Sequence, residues 1–339
     1  MIRFYIFTLV IVVSMGLPIS AQDAQFSQYY ASPLLIAPSF AGNSLGSRAF
    51  VSYRDQWAKL PGSFLTYSVG IDHNFYAINS GIGLVFLRDV MGSAKYGMTQ
   101  IKGLYSYRFN INDDWRIRPG ISFSYSQRSI KYSSTIFPDQ ISETGTSSSS
   151  VEQDTKPYYY FDAGSSVVLY NRRMWFGLTA DHLLRPNAST TRRDESRIPI
   201  QWSQFGGINF GLRNNVGRTP EVISMNYMFK MSEGYYQLDI GANWYRAPLL
   251  LGVGWRGLPS KDHPSYDALI FTVGVAFNNI AIGYSYDFTV SNLGPATGGS
   301  HEITVSFSFN EGNKSNRRGS IPCPDVVKFK MFGDKESFR

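Results

Sequence analysis

Residues 115–128 read WRIRPGISFSYSQR, and their side chains alternate strictly between two chemical classes. Successive residues of a β-strand face opposite sides, so each class would occupy one face. One face would carry the apolar and aromatic set, namely Trp115, Ile117, Ile121, Phe123 and Tyr125. The other would carry the basic and small set, namely Arg116, Arg118, Gly120, Ser122, Ser124, Ser126 and Arg128. A soluble core would not accept the second face, whereas a membrane wall with lipid outside and polar space inside requires both.

The same alternation recurs along the chain, for example in residues 64–74, 97–109 and 300–309. Repetition predicts an all-β fold, a transmembrane antiparallel β-barrel of about 14 strands. An even number returns both ends of the wall to the periplasmic side, and closure leaves no unpaired edge in lipid. The predicted strands are 48–57, 64–74, 80–90, 97–109, 114–128, 158–171, 173–182, 201–213, 220–230, 235–246, 248–257, 267–278, 279–289 and 300–309.

Composition agrees with a membrane wall. Aromatic residues make up 15% of the chain, with 22 Tyr and 24 Phe, and charged residues only 17%, below the roughly 25% usual in soluble domains. Tyrosine and tryptophan prefer membrane interfaces because one end of the ring is apolar and the other can hydrogen-bond. The single cysteine, Cys323, forbids an intrachain disulfide framework. The net charge of +7 is too modest to indicate a nucleic-acid partner.

The N-terminus carries the pattern of a secretory signal. Arg3 precedes an apolar stretch from Phe4 to Leu17, and small residues up to Ala21 offer a cleavage site before Gln22. No later apolar run is long enough to span a bilayer as a helix. We therefore expect a signal peptide at 1–21, a barrel at 48–309 in the cell outer membrane in contact with its lipid, and a polar basic periplasmic tail at 310–339.

Residues 22–47 precede the first strand, and their prolines, Pro33 and Pro38, disfavour positions inside a sheet. A bore of about fourteen strands is wider than wall side chains alone can fill. The segment could therefore plug the lumen or extend into the periplasm.

The connections between predicted strands alternate in length. Those expected outside include 129–157 and 183–200, whereas 110–113 and 171–172 form short periplasmic turns. The loop 183–200 carries Arg185, Arg192 and Arg193. These arginines indicate either an ordinary solvated loop or a docking surface for a partner.

The inward face of two neighbouring strands is basic. The side chains are those of Lys102, Arg108, Arg116, Arg118 and Arg128. Two interpretations remain open at this point. The basic wall could pair with lumen carboxylates such as Asp72, Asp162, Asp239 and Glu302 and hold a plug, or it could give a pore an anion preference.

Catalytic and cofactor chemistry find no support in the sequence. The four histidines lie apart at predicted strand ends and loops, and no Gly-x-Ser-x-Gly string positions a nucleophile. No close His or Cys pair suggests a metal site. We expect no enzyme activity, no cofactor and no metal.

Two motifs do not follow from barrel patterning. Residues 25–33 read QFSQYYASP and are followed by APSFAG at 37–42; residues 53–57 read YRDQW, followed by Pro61-Gly62 and Thr66. With GIGL at 81–84, YSYDF at 284–288 and GSHEI at 299–303, they resemble the PorP/SprF family of the type IX secretion and gliding system of Bacteroidota. The N-terminal motif residues are Gln25, Ser27, Gln28, Tyr29, Pro33, Pro38 and Gly42.

The resemblance implies an outer-membrane barrel that helps to secrete a cargo protein, often an adhesin, and anchors it by docking its C-terminal sorting domain. It also implies contact with other secretion or gliding components. By position, Arg54, Gln56 and Trp57 of the first hairpin join Arg185, Arg192 and Arg193 as docking candidates. The alternative function is an outer-membrane porin or substrate channel.

Overall fold

Fourteen long antiparallel strands form the wall of a closed barrel in the computed structural model, which describes residues 23–44, 46–92, 95–130, 141–142, 145–146, 156–187, 196–213, 221–233, 235–258, 265–277, 279–291 and 294–309. The strands are β1 Ser47–Gln56, β2 Phe64–Phe75, β3 Ser80–Met91, β4 Tyr96–Tyr107, β5 Arg116–Ser129, β6 Tyr158–Tyr170, β7 Met174–Asp181, β8 Gln201–Arg213, β9 Glu221–Ser232, β10 Tyr235–Arg246, β11 Leu249–Leu258, β12 Ser265–Phe277, β13 Ile280–Thr289 and β14 Ser300–Phe309.

Each strand pairs with its neighbour in sequence, and the sheet closes where the last strand meets the first. In that closing ladder, Ser47 lies opposite Phe309 and Gln56 opposite Ser300. Closure gives every wall strand two neighbours, which satisfies the backbone hydrogen-bonding groups that lipid cannot satisfy. In the described part of the chain, none of the helices has the length and apolar character needed to cross a membrane.

Burial follows the alternation that the sequence predicts. In β5, Phe123 is 66% exposed on the outer surface, whereas its neighbour Ser122 is 2% exposed in the lumen. The remaining strands repeat this pattern, with exposed side chains such as Val69, Phe271 and Val305 on the outside. The wall therefore presents an apolar surface outward and a mainly polar surface inward.

Connection lengths distinguish the two ends of the barrel. The end that carries the connections 130–157 and 182–200 is called the outer end here, because such barrels have long external loops. The opposite inner end has the short connections 76–79, 171–173 and 247–248. β1 begins and β14 ends at this inner end.

The predicted strands match the observed ones to within two residues, with local differences. β4 ends at Tyr107 rather than at 109, and Phe109–Asn110 form a separate two-residue strand paired with Ile117 and Arg116. The strand predicted to begin at 114 begins at Arg116, because the Asn112 side chain accepts the N–H groups of residues 114 and 115. A two-stranded hairpin, Ile141–Ser142 with Gly145–Thr146, lies in loop 129–157 and is not predicted.

Residues 23–44 lie inside the barrel, and we call them the plug. Pro33–Leu35 and Pro38–Phe40 form short 3-10 turns, and proline suits the first position of each because its missing N–H would have no partner there. The plug backbone approaches the wall closely at Gly120 of β5. A Cβ built there would lie 2.3 Å from the Ser39 nitrogen.

We expect Gly120→Ala to displace the plug, because the added methyl group must move the plug backbone. Overpacking of this kind costs about 1–3 kcal/mol. The measurements are guanidinium unfolding in detergent and steady current in a planar bilayer. The matched control is Gly103→Ala, where the nearest atom to the new Cβ is the Phe123 carbonyl oxygen at 4.0 Å. Equal effects of the two substitutions would contradict the close approach.

Candidate functional site

The plug runs from the outer end of the lumen to the inner end. Near its start, the Gln25 side chain donates to the hydroxyl of Tyr235, the first residue of β10 at the outer end. Near its finish, the Gly42 N–H donates to the Asp72 carboxylate, close to the inner end of β2. The chain therefore enters β1 from the inner side, and Asp23 lies at the outer mouth.

A carboxylate of β14 holds the outer part of the plug by its backbone. The N–H groups of Ser27 and Gln28 donate to the two Glu302 oxygens at 2.7 and 2.9 Å. The Gln28 amide also donates to the Glu302 carbonyl at 3.1 Å and to the Ser285 hydroxyl at 3.3 Å. Glu302 is fully buried, so these bonds replace the water that a charged group would otherwise need.

Two buried arginines complete this outer charge network. Arg54 pairs with Asp287 at 2.8 Å and with Glu302 at 3.1 Å. Arg256 pairs with Asp239 at 2.7 Å and with Asp287 at 3.1 Å. Each charge therefore has an opposite charge in contact, which offsets the large cost of removing ions from water.

Ser27 joins the plug to both arginines. Its hydroxyl donates to Asp287 at 2.7 Å and accepts hydrogen bonds from Arg54 at 2.9 Å and from Arg256 at 3.0 Å. A single plug side chain thus contacts three charged groups from three different strands.

An apolar cluster fills the middle of the lumen. The plug contributes Leu34, Ala37, Phe40 and Ala41, and the wall contributes Phe50, Val85, Leu104, Val168, Tyr170, Phe205 and Met228. The sequence predicts a polar lumen, and the apolar wall residues differ from that expectation. They face inward because the plug presents apolar side chains that must also leave water.

The inner part of the plug is bound through its backbone. The Gly42 N–H donates to Asp72 at 2.9 Å, and the Gly42 carbonyl accepts from Arg118 at 2.9 Å. Arg48 pairs with the same Asp72 carboxylate at 3.0 Å. Gly42 has a positive φ of 63°, and a Cβ there would lie 2.5 Å from Gly81. Glycine is therefore required by conformation and by space.

A histidine just beyond the outer end of β7 ties the plug to the wall. His182 Nε2 lies 2.8 Å from Asp23 of the plug, and its Nδ1 lies 2.5 Å from Asp162 of β6. Burial opposes a charge on His182, but the two carboxylates outweigh it and raise the histidine pKa to about 10. The same contact holds the pKa of Asp23 below its usual range against the effect of its own burial. We call Asp23, His182 and Asp162 the outer latch.

The structure places one predicted docking residue inside the lumen and three others at the outer end of the barrel. Arg54 points into the lumen and is held by the charge network, so it is not available to an external partner. Gln56 and Trp57 are half-buried at the outer rim, and Arg185 is exposed. Arg192 and Arg193 lie outside the described residues.

The predicted basic wall faces the lumen, where its side chains contact a carboxylate, the plug and neighbouring wall residues. Lys102 lies 3.5 Å from Asp181, and Arg118 donates to the plug at Gly42. The Arg108 side chain donates to Asn79 at 2.6 Å, Arg116 to the Trp115 carbonyl at 3.1 Å, and Arg128 to the Tyr96 hydroxyl at 2.9 Å. The carboxylates at 72, 239 and 302 pair instead with Arg48, Arg256 and Arg54.

All seven N-terminal motif residues belong to the plug. Gln25, Ser27, Gln28 and Gly42 make the hydrogen bonds given above, Tyr29 donates to Asn226, and the two prolines begin the 3-10 turns. Sequence reasoning missed Arg48, Arg256, Asp287 and His182 as members of the groups that hold the plug. The first three occupy inward positions of alternating strands, so alternation could have placed them in the lumen, although it could not have chosen their partners.

A closed antiparallel wall with an apolar exterior and a filled, polar lumen defines an outer-membrane β-barrel. The family model described as "Type IX secretion system membrane protein PorP/SprF" matches residues 19–307. The chain therefore belongs to the PorP/SprF family and is a component of the type IX secretion system in the outer membrane.

Solved barrels with little sequence similarity resemble the chain more loosely. A TodX mutant monoaromatic hydrocarbon channel is 10% identical, with 82% of this chain and 94% of that chain covered and a TM-score of 0.46. A FadL homologue from Pseudomonas aeruginosa is 10% identical, with 78% and 90% covered and a TM-score of 0.41. The translocator domain of autotransporter NalP from Neisseria meningitidis is 14% identical, with 78% and 88% covered and a TM-score of 0.36. None of the curated proteins matches the chain.

We expect Glu302→Gln to lower the free energy of unfolding by about 3–5 kcal/mol, because it removes one partner of a buried ion pair. The amide keeps the shape of the carboxylate but leaves Arg54 with Asp287 alone. Guanidinium unfolding in detergent, followed by tryptophan fluorescence, measures the change. The control is Asp267→Asn, a carboxylate whose side chain is 26% exposed and lies at the longer distance of 3.9 Å from Arg256, with an expected cost below about 1 kcal/mol. A smaller loss for Glu302→Gln than for the control would refute the role of the network.

The outer latch should weaken at alkaline pH. Because the folded pKa of His182 lies above its ordinary value of 6.5, the protonated ring stabilises the latch fully below pH 6.5 and loses that effect as pH rises through about 10. The measurement uses an Ala24→Cys, Cys323→Ser protein in detergent. The maleimide labelling rate of the introduced cysteine reports how often the latch opens. The ratio of this rate to that of the same protein carrying His182→Asn should be well below one at neutral pH and should approach one above pH 10. A ratio that is constant across this range would exclude the latch.

Proposed function

We propose that this type IX outer-membrane component helps to export a cargo adhesin and then anchors it at the cell surface, by docking the cargo's C-terminal sorting domain at the outer end of the barrel. The observation that carries the proposal is the plug. Contacts at its outer, middle and inner parts fill the lumen, so a partner would bind at a rim rather than inside, and the outer rim is the one that an exported protein at the cell surface would meet.

The plug argues against the alternative function, a porin or substrate channel. An open channel needs a continuous water-filled path, whereas here buried ion pairs and an apolar cluster occupy the lumen. Displacing the plug would expose several charges and apolar side chains together. The filled lumen thus favours an anchor over a pore.

The first hairpin, which joins β1 and β2, is held in place at the outer rim by backbone hydrogen bonds. The Trp57 N–H donates to the Gly299 carbonyl at 2.8 Å, and the Lys59 N–H donates to the Thr297 carbonyl at 3.1 Å. These bonds fix the hairpin to the turn before β14. Leu60 at its tip is 39% exposed. Together with exposed Arg185, this hairpin supplies the docking surface that we propose.

The remaining segments follow from the same orientation. We propose that residues 1–21 are removed as a signal peptide and that the tail 310–339 faces the periplasm. The position of Phe309 at the inner end of β14 supports the placement of the tail. There it could meet other components of the secretion or gliding machinery.

We expect Arg185→Glu, combined with deletion of 140–155, to shift most of the surface-held cargo into the medium while the barrel still assembles. Immunoblots of cells and medium measure the ratio, and copurification in mild detergent identifies the cargo. The matched control is Arg173→Glu, an exposed arginine in the inner turn between β6 and β7. Unchanged retention in the double variant would count against docking at this rim.

Planar-bilayer recording separates the two functions independently of the cargo. The anchor proposal expects no large steady current from the wild-type protein. A large steady current from wild type would instead favour the channel.

A further inference from the structure

In the part of the chain that the structure describes, one strand edge at the outer end of the wall has no neighbouring strand. The β5–β6 ladder continues to the pair Arg128 and Tyr158, the first residue of β6. The β6–β7 ladder stops earlier, at the pair Ser165 and Ala180. One further bond follows, from the Leu183 N–H to the Ala163 carbonyl at 3.0 Å. The outer part of β6, residues 158–162, therefore extends beyond β7.

The direction of the backbone groups identifies the residues concerned. In an antiparallel ladder, a residue turns its N–H and C=O toward the same neighbour, and the side alternates along the strand. Because the Ala163 carbonyl faces the side of β7, the groups of Tyr159 and Phe161 face that side too. Within the described residues, we find no backbone partner for these two residues on that side.

The gap is built by specific contacts rather than by fraying of β7. His182 adopts a positive φ of 60°, and its ring lies between Asp23 and Asp162 in the outer latch. The Arg185 N–H then donates to the His182 carbonyl at 3.0 Å, which turns the chain away from β6. β7 therefore ends because the latch draws the next residue into the lumen.

The side chains beside this edge continue the apolar outer face of the wall, which an added strand would extend. Phe161 is 71% exposed, Tyr159 is 49% exposed, and Leu184 across the gap is 58% exposed. The cations Lys156 and Arg185, both exposed, lie in sequence at the two ends of this region. Unpaired strand edges are templates for another strand, and two exposed cations favour one that carries carboxylates.

We infer that the outer edge of β6 receives an extended strand of the exported partner. This inference rests on the proposed function and specifies how the docking occurs. The incoming strand would exchange hydrogen bonds with Tyr159 and Phe161, place apolar side chains against Phe161 and Leu184, and carry acidic residues near Lys156 and Arg185. Main-chain bonds would supply affinity, and the alternate side chains would supply selectivity.

The test removes one backbone donor. Phe161→Pro deletes the N–H that faces the gap, and proline is tolerated at a strand edge whose N–H makes no ladder bond. Phe161→Leu is the matched control, because it keeps the N–H and an apolar side chain. A photo-crosslinking benzoylphenylalanine at position 159 reports contact in intact cells of the native host, and unchanged heat-modifiable mobility reports assembly.

The expected result is an adduct from position 159 to one extended segment of the copurified cargo, at least about tenfold weaker with Phe161→Pro and unchanged with Phe161→Leu. If the cargo copurifies but the adduct is missing or unaffected by proline, strand addition is wrong and the proposed function stands. If no exported protein copurifies with the wild-type protein, both the strand-addition inference and the proposed function are wrong. Should Phe161→Pro not assemble, Tyr159→Pro with the crosslinker at 161 gives the same comparison.

Discussion

Every backbone N–H and C=O group in the lipid-facing wall must find a hydrogen-bond partner within the protein, because the bilayer interior offers none. The ladder between β1 and β14 meets this requirement by closing the sheet. With antiparallel pairing throughout, closure requires an even number of strands and returns both ends of the wall to the inner side, while lipid outside and a polar lumen inside require the alternation. It also creates a bore that wall side chains cannot fill, and the other features of the molecule follow from that space.

The plug fills the lumen and is held there by three kinds of contact along its length. At the outer part, Glu302 accepts the plug's N–H groups and the two arginines balance the carboxylates; in the middle, apolar groups pack; at the inner part, Asp72 and Arg118 bind Gly42. Isolated buried charges are very costly, whereas this network gives each an opposite neighbour. The plug is consequently held in one register, because moving it would break the hydrogen bonds from Ser27, Gln28 and Gly42 to these buried carboxylates together.

Because the lumen is filled, a partner would bind at the outer rim, which is where a secretion component would meet an exported protein. Among the described residues of the rim, the first hairpin is paired, because the N–H groups of Trp57 and Lys59 donate to the turn before β14. The outer edge of β6 differs, because the latch at His182 ends β7 early. Beyond that point, within the described residues, β6 has no paired strand on the side of β7, and we propose that its backbone groups there bind another chain.

The sequence by itself determined the strands, their two faces, the inward basic residues and the family, since alternation and short motifs are local and survive without knowledge of contacts. It left open where residues 22–47 lie, grouped Arg54 with the docking residues, and did not connect His182 to any partner. Only the tertiary structure decided these points. Ser27 and Asp287 are 260 positions apart, and such pairs depend on barrel closure, which brings distant strands around one lumen and lets geometry, rather than sequence spacing, choose which charges meet.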